Sequence, residues 1–180
     1  VGRVAGSDYV ASNISYNKDG MKFDVELNGK TESMFVNLLG EHSVINSLFG
    51  IAIADQLDLT PDQIREGLKN VKLPRGRLTV DKLEGNRTLV DDSYNANPAS
   101  MISGLNVLDD FVSSKKKIAL LGDMVEMGSF TKEGHEKVGA SLVNYNLDQV
   151  YLFGDSSKYI RGKAIETGFP KEKLIHHEDI

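Results

Sequence analysis

The sequence contains no cysteine, and this absence removes several classes of chemistry. Without thiols the chain has no disulfide framework, no thiolate metal site and no cysteine nucleophile. Long apolar runs are also absent, since the stretch 48–54 is far shorter than the roughly 20 residues that a membrane-spanning helix needs. The sequence starts without an initiator methionine and shows no signal or transit peptide. We therefore expect a cytoplasmic protein that is a piece of a longer one.

An excess of positive charge is a third feature that the sequence lacks. It has 21 basic and 26 acidic side chains, which gives a formal net charge of −5. Nucleic acids and anionic membranes both require a basic surface, so we expect neither as a partner. The 180 residues, 40% of them hydrophobic, suffice for one large domain or two small ones. Small molecules held at a local site remain the open class of ligand.

The first 38 residues have the pattern of antiparallel strands. Apolar and polar side chains alternate over residues 21–27, between the turn signals Asp19-Gly20 and Asn28-Gly29. This pattern predicts strands joined by tight hairpins. The second turn also resembles the end of a phosphate-binding P-loop, but the first glycine of that motif would fall at Asp24, within a predicted strand. We therefore interpret the segment as a hairpin.

Between residues 42 and 70 the apolar spacing becomes helical. Thr60-Pro61-Asp62-Gln63 is a capping box with proline in the first turn, so a second helix is predicted to begin there. Residues 72–77 interrupt the pattern, and we place a domain boundary there, giving domains 1–74 and 75–180. Before the capping box, i, i+3, i+4 spacing predicts one buried helix face, made by Val44, Ile45, Leu48, Phe49, Ala52 and Ile53.

After the boundary, strand and helix patterns alternate. Helices are predicted to begin near Pro98, Lys132 and Ser156. This alternation is typical of an α/β domain with right-handed crossovers and a mainly parallel, Rossmann-like sheet flanked by helices. Ligands of such sheets bind beyond the carboxyl ends of the strands. The predicted strands are 78–83, 88–91, 118–121, 150–153 and 174–176, and the loops 91–97, 122–128 and 154–155 are expected at one edge.

The densest polar cluster is Asp91-Asp92-Ser93-Tyr94-Asn95-Ala96-Asn97-Pro98, between a strand and a helix. A carboxylate there could accept hydrogen bonds from ribose hydroxyls or hold a hydrated Mg²⁺, and Asn and Tyr could contact a base. The alternative is an Asx-type turn whose polar residues cap the helix, with Asn97 as the cap. The residues alone leave both interpretations open.

Three further groups of polar residues are candidates. His42 and Asn46, spaced i, i+4, could contact adenine, or could be boundary residues of a core helix. Arg75 and Arg77 could meet a triphosphate, or could be solvated linker charges. The third group could bind metal or substrate, although its spacing matches no standard ligand motif and ordinary surface polarity is the alternative; it consists of Asp123, Glu126 and His135.

The order of these segments resembles the Mur ligase family. The segments are Gly40-Glu41-His42 with Asn46, Pro74-Arg75-Gly76-Arg77, DDSYNANPASM at 91–101, and GDMVEMG at 122–128 with His135 and Gly139 behind it. The family implies an ATP-dependent amide ligase of three domains: a UDP-sugar domain, a central ATPase domain with a P-loop, and a C-terminal Rossmann-like domain. Residues 1–74 would end the central domain, and residues 75–180 would form most of the C-terminal domain.

Within the family, the 91–101 and 122–128 segments resemble the member that joins D-alanyl-D-alanine to UDP-N-acetylmuramoyl-tripeptide through an acyl phosphate. The resemblance implies these small molecules and ATP as ligands, and a monomer. It places the P-loop lysine and the Mg²⁺ ligands upstream of Val1, with no metal ligand in the chain. We therefore expect the chain alone to be inactive. Alternatives are another Mur ligase, a folylpolyglutamate synthase, or a non-catalytic nucleotide-binding or receiver-like module.

The resemblance also implies roles for individual residues. Asn46 would contact adenine, with His42 nearby, and Arg77 would reach the phosphates. Asp92 rather than Asp91 would bind the ribose, which brings Tyr94 and Asn95 toward the nucleotide. The substrate side would be served by Asp123, Glu126 and His135.

Overall fold

The structure is a computed structural model that describes residues 1–2, 6–17, 19–111 and 116–178. The chain divides into two compact units, Val1–Leu73 and Pro74–Ile180. The predicted α/β class is confirmed: antiparallel hairpins and two helices precede a parallel sheet flanked by helices. Within the described residues, no helix is both long and apolar enough to cross a membrane.

The first unit packs two helices on a three-stranded antiparallel sheet. Asn28 and Gly29 form a two-residue loop with φ of 51° and 73°, the geometry that twisted hairpins favour. Asp24 pairs with Ser33 in this hairpin, so the hairpin interpretation is confirmed and the P-loop alternative fails. The elements are β1 (Ala11–Asn17), β2 (Gly20–Leu27), β3 (Lys30–Val36), α1 (Glu41–Gln56) and α2 (Pro61–Lys69).

The predicted buried face of α1 is partly wrong. Val44, Leu48 and Ile51 are fully buried, whereas Phe49 is 55% and Ile53 is 64% exposed. The helix is apolar on two sides, so the spacing pattern described a stripe wider than the one that contacts the sheet. The capping box of α2 is confirmed by reciprocal hydrogen bonds between Thr60 and Gln63.

The second unit contains one antiparallel pair and one parallel sheet. The pair is β4 (Thr79–Leu83) and β5 (Arg87–Asp91). The sheet order is β6-β7-β8, and all its pairings are parallel. The two predicted strands 78–83 and 88–91 thus form a hairpin, because the three residues between β4 and β5 are too few for a crossover. The remaining elements are α3 (Pro98–Phe111), β6 (Ile118–Leu121), α4 (Thr131–Ser141), β7 (Gln149–Phe153), α5 (Ser157–Glu166) and β8 (Leu174–His177).

One face of the parallel sheet forms the core of the second unit. Gly139 lets α4 approach α5, because a Cβ at this position would lie 2.4 Å from the carbonyl oxygen of Ile160. Lys117 is also buried, and its ammonium donates to Asp109 Oδ1 and to the Asp109 carbonyl at 2.6 Å each. The core residues come from three strands and three helices and include Leu105, Ala119, Leu121, Val138, Val150, Leu152, Ile160 and Leu174.

Candidate functional site

His42 and Asn46 lie one turn apart at the start of α1. The helix begins after Gly40, whose φ of 82° suits glycine. Both side chains are exposed, and their spacing places them on the same helix face as Phe49 and Ile53. Because this face points away from the core of the first unit, both polar side chains are accessible to a ligand.

In the second unit, the structure brings Arg77, Asp92 and Tyr94 together. Oδ1 of Asp92 accepts a hydrogen bond from the Leu78 N–H at 3.0 Å, and Asp92 is half-buried. The Arg77 guanidinium lies over the Tyr94 ring, 4.2 Å from its centroid. A cation, a carboxylate and an exposed aromatic ring therefore adjoin at the end of β5.

The rest of the 91–97 loop is organised by local hydrogen bonds. Asp91 Oδ1 accepts from the Ser93 N–H at 3.1 Å, which is an Asx turn. Asn97 Oδ1 accepts from the Ser100 N–H at 2.9 Å, so the predicted cap of α3 is confirmed. The capping alternative thus accounts for Asp91 and Asn97, while Tyr94 and Asn95 extend into solvent.

In the 122–128 loop, Asp123 has internal partners. Its two carboxylate oxygens accept from the Ser157 N–H at 2.7 Å and the Ser156 N–H at 3.1 Å. These donors are at the N-terminus of α5, where a carboxylate also interacts favourably with the helix dipole. Gly154 permits the contact, because a Cβ there would lie 2.5 Å from Asp123 Cγ. Asp123 therefore attaches the loop to α5.

His135 is fully buried and attaches the same loop to α4. Its Nε2 lies 3.0 Å from the Met124 nitrogen, and its Nδ1 lies 2.6 Å from the Thr131 carbonyl oxygen. Since the Met124 N–H can only donate, Nε2 must accept, and in the neutral ring Nδ1–H then donates to Thr131. Both ring nitrogens of His135 are engaged within the protein. Of the three residues predicted for the substrate, Glu126 is the exposed one, at φ 63°.

The sequence patterns assign no structural role to three residues that shape these loops, although two of them lie in predicted segments. Gly76 and Leu78 flank Arg77 with φ of 74° and 52°, and Gly154 makes room for Asp123. Two signals in the sequence mark the glycines. Gly76 stands between two arginines just before a strand, and Gly154 directly follows a strand. Nothing in the sequence marks Leu78, because a leucine at positive φ is uncommon. Within the described part of the chain, no three His, Asp or Glu side chains form a group that could hold a metal ion.

A family model described as Mur ligase, glutamate ligase domain, matches residues 76–180, which is more than half of the chain. The chain belongs to the Mur ligase family. The Mur ligase match covers both loops described above, 91–97 and 122–128.

Curated Mur ligases resemble the chain across both units. It is 27% identical to UDP-N-acetylmuramoyl-tripeptide–D-alanyl-D-alanine ligase of Bacillus subtilis over 96% of the chain and 37% of the relative. It is 33% identical to the protein of the same name from Escherichia coli over 87% of the chain and 34% of the relative. The chain thus spans about a third of the length of these relatives.

Solved Mur ligase structures share the fold. MurF from Acinetobacter baumannii superposes with a TM-score of 0.82 at 25% identity, over 96% of this chain and 36% of that one. MurF from Thermotoga maritima, in complex with ADP, gives a TM-score of 0.76 at 25% identity, over 97% of this chain and 38% of that one.

Proposed function

We propose that the chain forms part of an ATP-dependent ligase that joins D-alanyl-D-alanine to UDP-N-acetylmuramoyl-tripeptide in cytoplasmic peptidoglycan precursor synthesis. The observation that carries the proposal is that relatives of this name match the chain over up to 96% of its length, through both units. We infer that residues 1–74 end the central ATP-binding domain and that residues 75–180 belong to the C-terminal domain. The proposal covers only the steps of the reaction in which residues of this chain bind ATP or substrate.

The proposed reaction has two steps. ATP transfers its γ-phosphoryl group to a carboxylate oxygen of the tripeptide, which gives an acyl phosphate and ADP. The dipeptide amine then attacks the acyl carbon, inorganic phosphate leaves with the bonding electrons, and the nitrogen loses a proton as the amide forms. Catalysis of phosphoryl transfer depends mainly on positioning and on cations near the phosphate oxygens.

Residues of the second unit fit two parts of ATP. The exposed Arg77 guanidinium can donate two parallel hydrogen bonds to phosphate oxygens. The Asp92 carboxylate can accept from a ribose hydroxyl, as acidic residues at strand ends do in other nucleotide sites. Asn95, three residues after Asp92, would lie near the nucleotide, and the ring of Tyr94, two residues after Asp92, lies against Arg77.

The first unit offers groups for the base. The Asn46 amide has a donor and an acceptor, which match the N6 and N7 edge of adenine. His42, one turn earlier, is on the same face of α1 and would lie beside it.

The 122–128 loop would serve the substrate through its fixed shape and through one exposed side chain. Asp123 and His135 hold the loop through their internal hydrogen bonds, and Glu126 is the exposed carboxylate that could meet the amine of the incoming dipeptide. The resemblance places the Mg²⁺ ligands upstream of Val1, and the proposal keeps them there.

The proposal is tested on the product of the complete open reading frame that encodes this chain. We expect phosphate release that requires ATP, the UDP-tripeptide and D-alanyl-D-alanine together. Release with glutamate and a folate, or with a single amino acid in place of the dipeptide, would identify a related ligase instead. Transfer of phosphate to Asp91 or Asp92 in the absence of other substrates would identify a receiver-like module.

The ribose role of Asp92 has its own test in the same assay. Asp92→Asn keeps an oxygen to accept from the Leu78 N–H but removes the charge that strengthens a hydrogen bond to ribose. We expect the KM for ATP to rise about tenfold, while the KM for D-alanyl-D-alanine stays within twofold. Asp91→Asn is the matched control, since Asp91 makes the Asx turn with Ser93. A larger effect from Asp91→Asn would remove Asp92 from the ribose site.

A further inference from the structure

The segment before β4 runs beside the loop after β5 in the register of the hairpin itself. Thr79 pairs with Asp91, and the same register carried three residues further places Gly76 opposite Tyr94. The Tyr94 N–H donates to the Gly76 carbonyl at 3.0 Å, and the Leu78 N–H donates to Asp92 Oδ1 at 3.0 Å. Arg77 thus lies between two hydrogen bonds that join its neighbours to the loop.

The backbone on both sides of Arg77 is in the left-handed region. Gly76 has φ 74° and Leu78 has φ 52°. A Cβ at position 76 would lie 3.0 Å from the Tyr94 nitrogen, which is a tight contact, and the positive φ at this position also favours glycine. Leu78 adopts an unfavourable conformation that is held by its buried side chain and by Asp92. The position of the Arg77 backbone is therefore fixed by the loop that carries Asp92 and Tyr94.

The Arg77 side chain is oriented by an aromatic ring rather than by a carboxylate. Its guanidinium carbon is 4.2 Å from the centroid of the Tyr94 ring, and Tyr94 is 66% exposed. An exposed arginine ordinarily samples many rotamers, and stacking on a ring restricts them without neutralising the charge. The stacked guanidinium keeps its in-plane N–H donors available for an anion.

We propose that Tyr94 is a positioning residue, which holds the Arg77 guanidinium ready for a phosphate group rather than contacting the nucleotide directly. The inference rests on the proposed function, because the anion is taken to be the phosphate chain of ATP. It assigns the ring of Tyr94, and not its hydroxyl, as the group that matters. Tyr94→Phe should then behave as the native protein, and Tyr94→Leu should not.

The first experiment needs no ligand. A proton held over an aromatic ring resonates upfield, so NMR of the arginine Nε–H groups in the 180-residue chain reports the stacking. We expect the Arg77 signal to be shifted upfield in the native chain and in Tyr94→Phe, and to return to the position of an exposed arginine in Tyr94→Leu. An Arg77 signal that is the same in all three chains would overturn the proposal.

The second experiment measures binding of inorganic tripolyphosphate, which has no base or ribose, by isothermal titration. Tyr94→Leu should weaken binding about twofold to fivefold, the range expected for an exposed cation–π pair. Tyr94→Phe should leave it unchanged. In an Arg77→Ala background, Tyr94→Leu should have no further effect, because the residue acts through the arginine. Equal losses from Tyr94→Leu with and without Arg77 would mean that Tyr94 contacts the ligand itself, and would overturn the proposal.

The two experiments separate this inference from the function on which it rests. An absent ring-current shift refutes the positioning role whatever the chain binds. A clear shift without any tripolyphosphate binding refutes the phosphate role of Arg77, and leaves its contact with Tyr94 as a structural one only. Since Tyr94 is exposed, its variants should unfold at the urea concentration of the native chain.

Discussion

Residues 91–97 and residues 122–128 both follow a strand and precede a helix, yet Tyr94 in the first loop is 66% exposed, whereas His135, which holds the second loop, is fully buried. Both segments carry acidic side chains, and both are expected at the ligand edge of the fold. In the first, local caps satisfy Asp91 and Asn97, Asp92 accepts from the Leu78 N–H, and Tyr94 and Asn95 remain exposed. In the second, the side chains of Asp123 and His135 bond to distant backbone groups.

The difference teaches that polar side chains in a loop after a strand have two separable uses. A loop in which some side chains cap near neighbours can present its other side chains to a ligand. A loop with few polar side chains can instead use them to hold its own shape, and then contributes a rigid surface. Substitutions should therefore mainly lower stability at Asp123 and His135, and mainly lower ligand binding at Asp92 and Asn95.

The largest effect is expected for His135→Ala. The substitution removes a fully buried ring and leaves the Met124 N–H without its acceptor, so the free energy of unfolding should fall by about 3 kcal/mol. Urea unfolding followed by circular dichroism measures the change. His135→Gln offers an amide oxygen in place of Nε2 and should recover part of the loss. A stable His135→Ala chain that loses only ligand binding would instead make His135 a ligand contact.

Gly154→Ala should have the next largest effect. The added Cβ would lie 2.5 Å from Asp123 Cγ at a residue with φ 96°, so both steric overlap and backbone strain lower stability, by about 2 kcal/mol. Gly128→Ala is the matched control, because Gly128 also has a positive φ but no atom within 4 Å of the new Cβ. It should cost about 1 kcal/mol in the same urea experiment. Equal losses at both glycines would show that the contact with Asp123 is unimportant.

Local sequence signals predicted the parts of the fold that depend on near neighbours. Asn28-Gly29 sets a hairpin because both residues tolerate positive φ, and Asn97 caps α3 because its acceptor is three residues from the Ser100 N–H. Arg77, Asp92 and Tyr94 are candidates from their residue types, the resemblance implies their roles, and the structure places them together. Their proximity follows from the β4–β5 hairpin, which the strand pattern itself did not reveal.

Long-range partners could not be predicted from the sequence. Lys117 ends a run of three lysines before a strand, a pattern typical of solvated loop residues, yet it is 7% exposed and pairs with Asp109 near the end of α3. The exposed faces of Phe49 and Ile53 could not be distinguished from the buried face of Leu48, since all three residues are apolar and helically spaced. Asp123 could be taken for a ligand because the backbone groups that donate to it lie 33 and 34 residues further along the chain.

The smallest effect is expected from a comparison of two asparagines in residues 91–97. This comparison separates stability from ligand binding within one loop. Asn97→Ala removes the acceptor for the Ser100 N–H at the start of α3 and should lower the free energy of unfolding by about 1 kcal/mol. Asn95→Ala changes an exposed residue whose Oδ1 accepts from the adjacent Ala96 N–H, so its effect on stability should stay within about 0.5 kcal/mol. In the phosphate-release assay the order should reverse, with the larger rise in the KM for ATP from Asn95→Ala. If Asn97→Ala caused the larger rise, the cap would matter to the nucleotide, and stability and binding would not be separable in this loop.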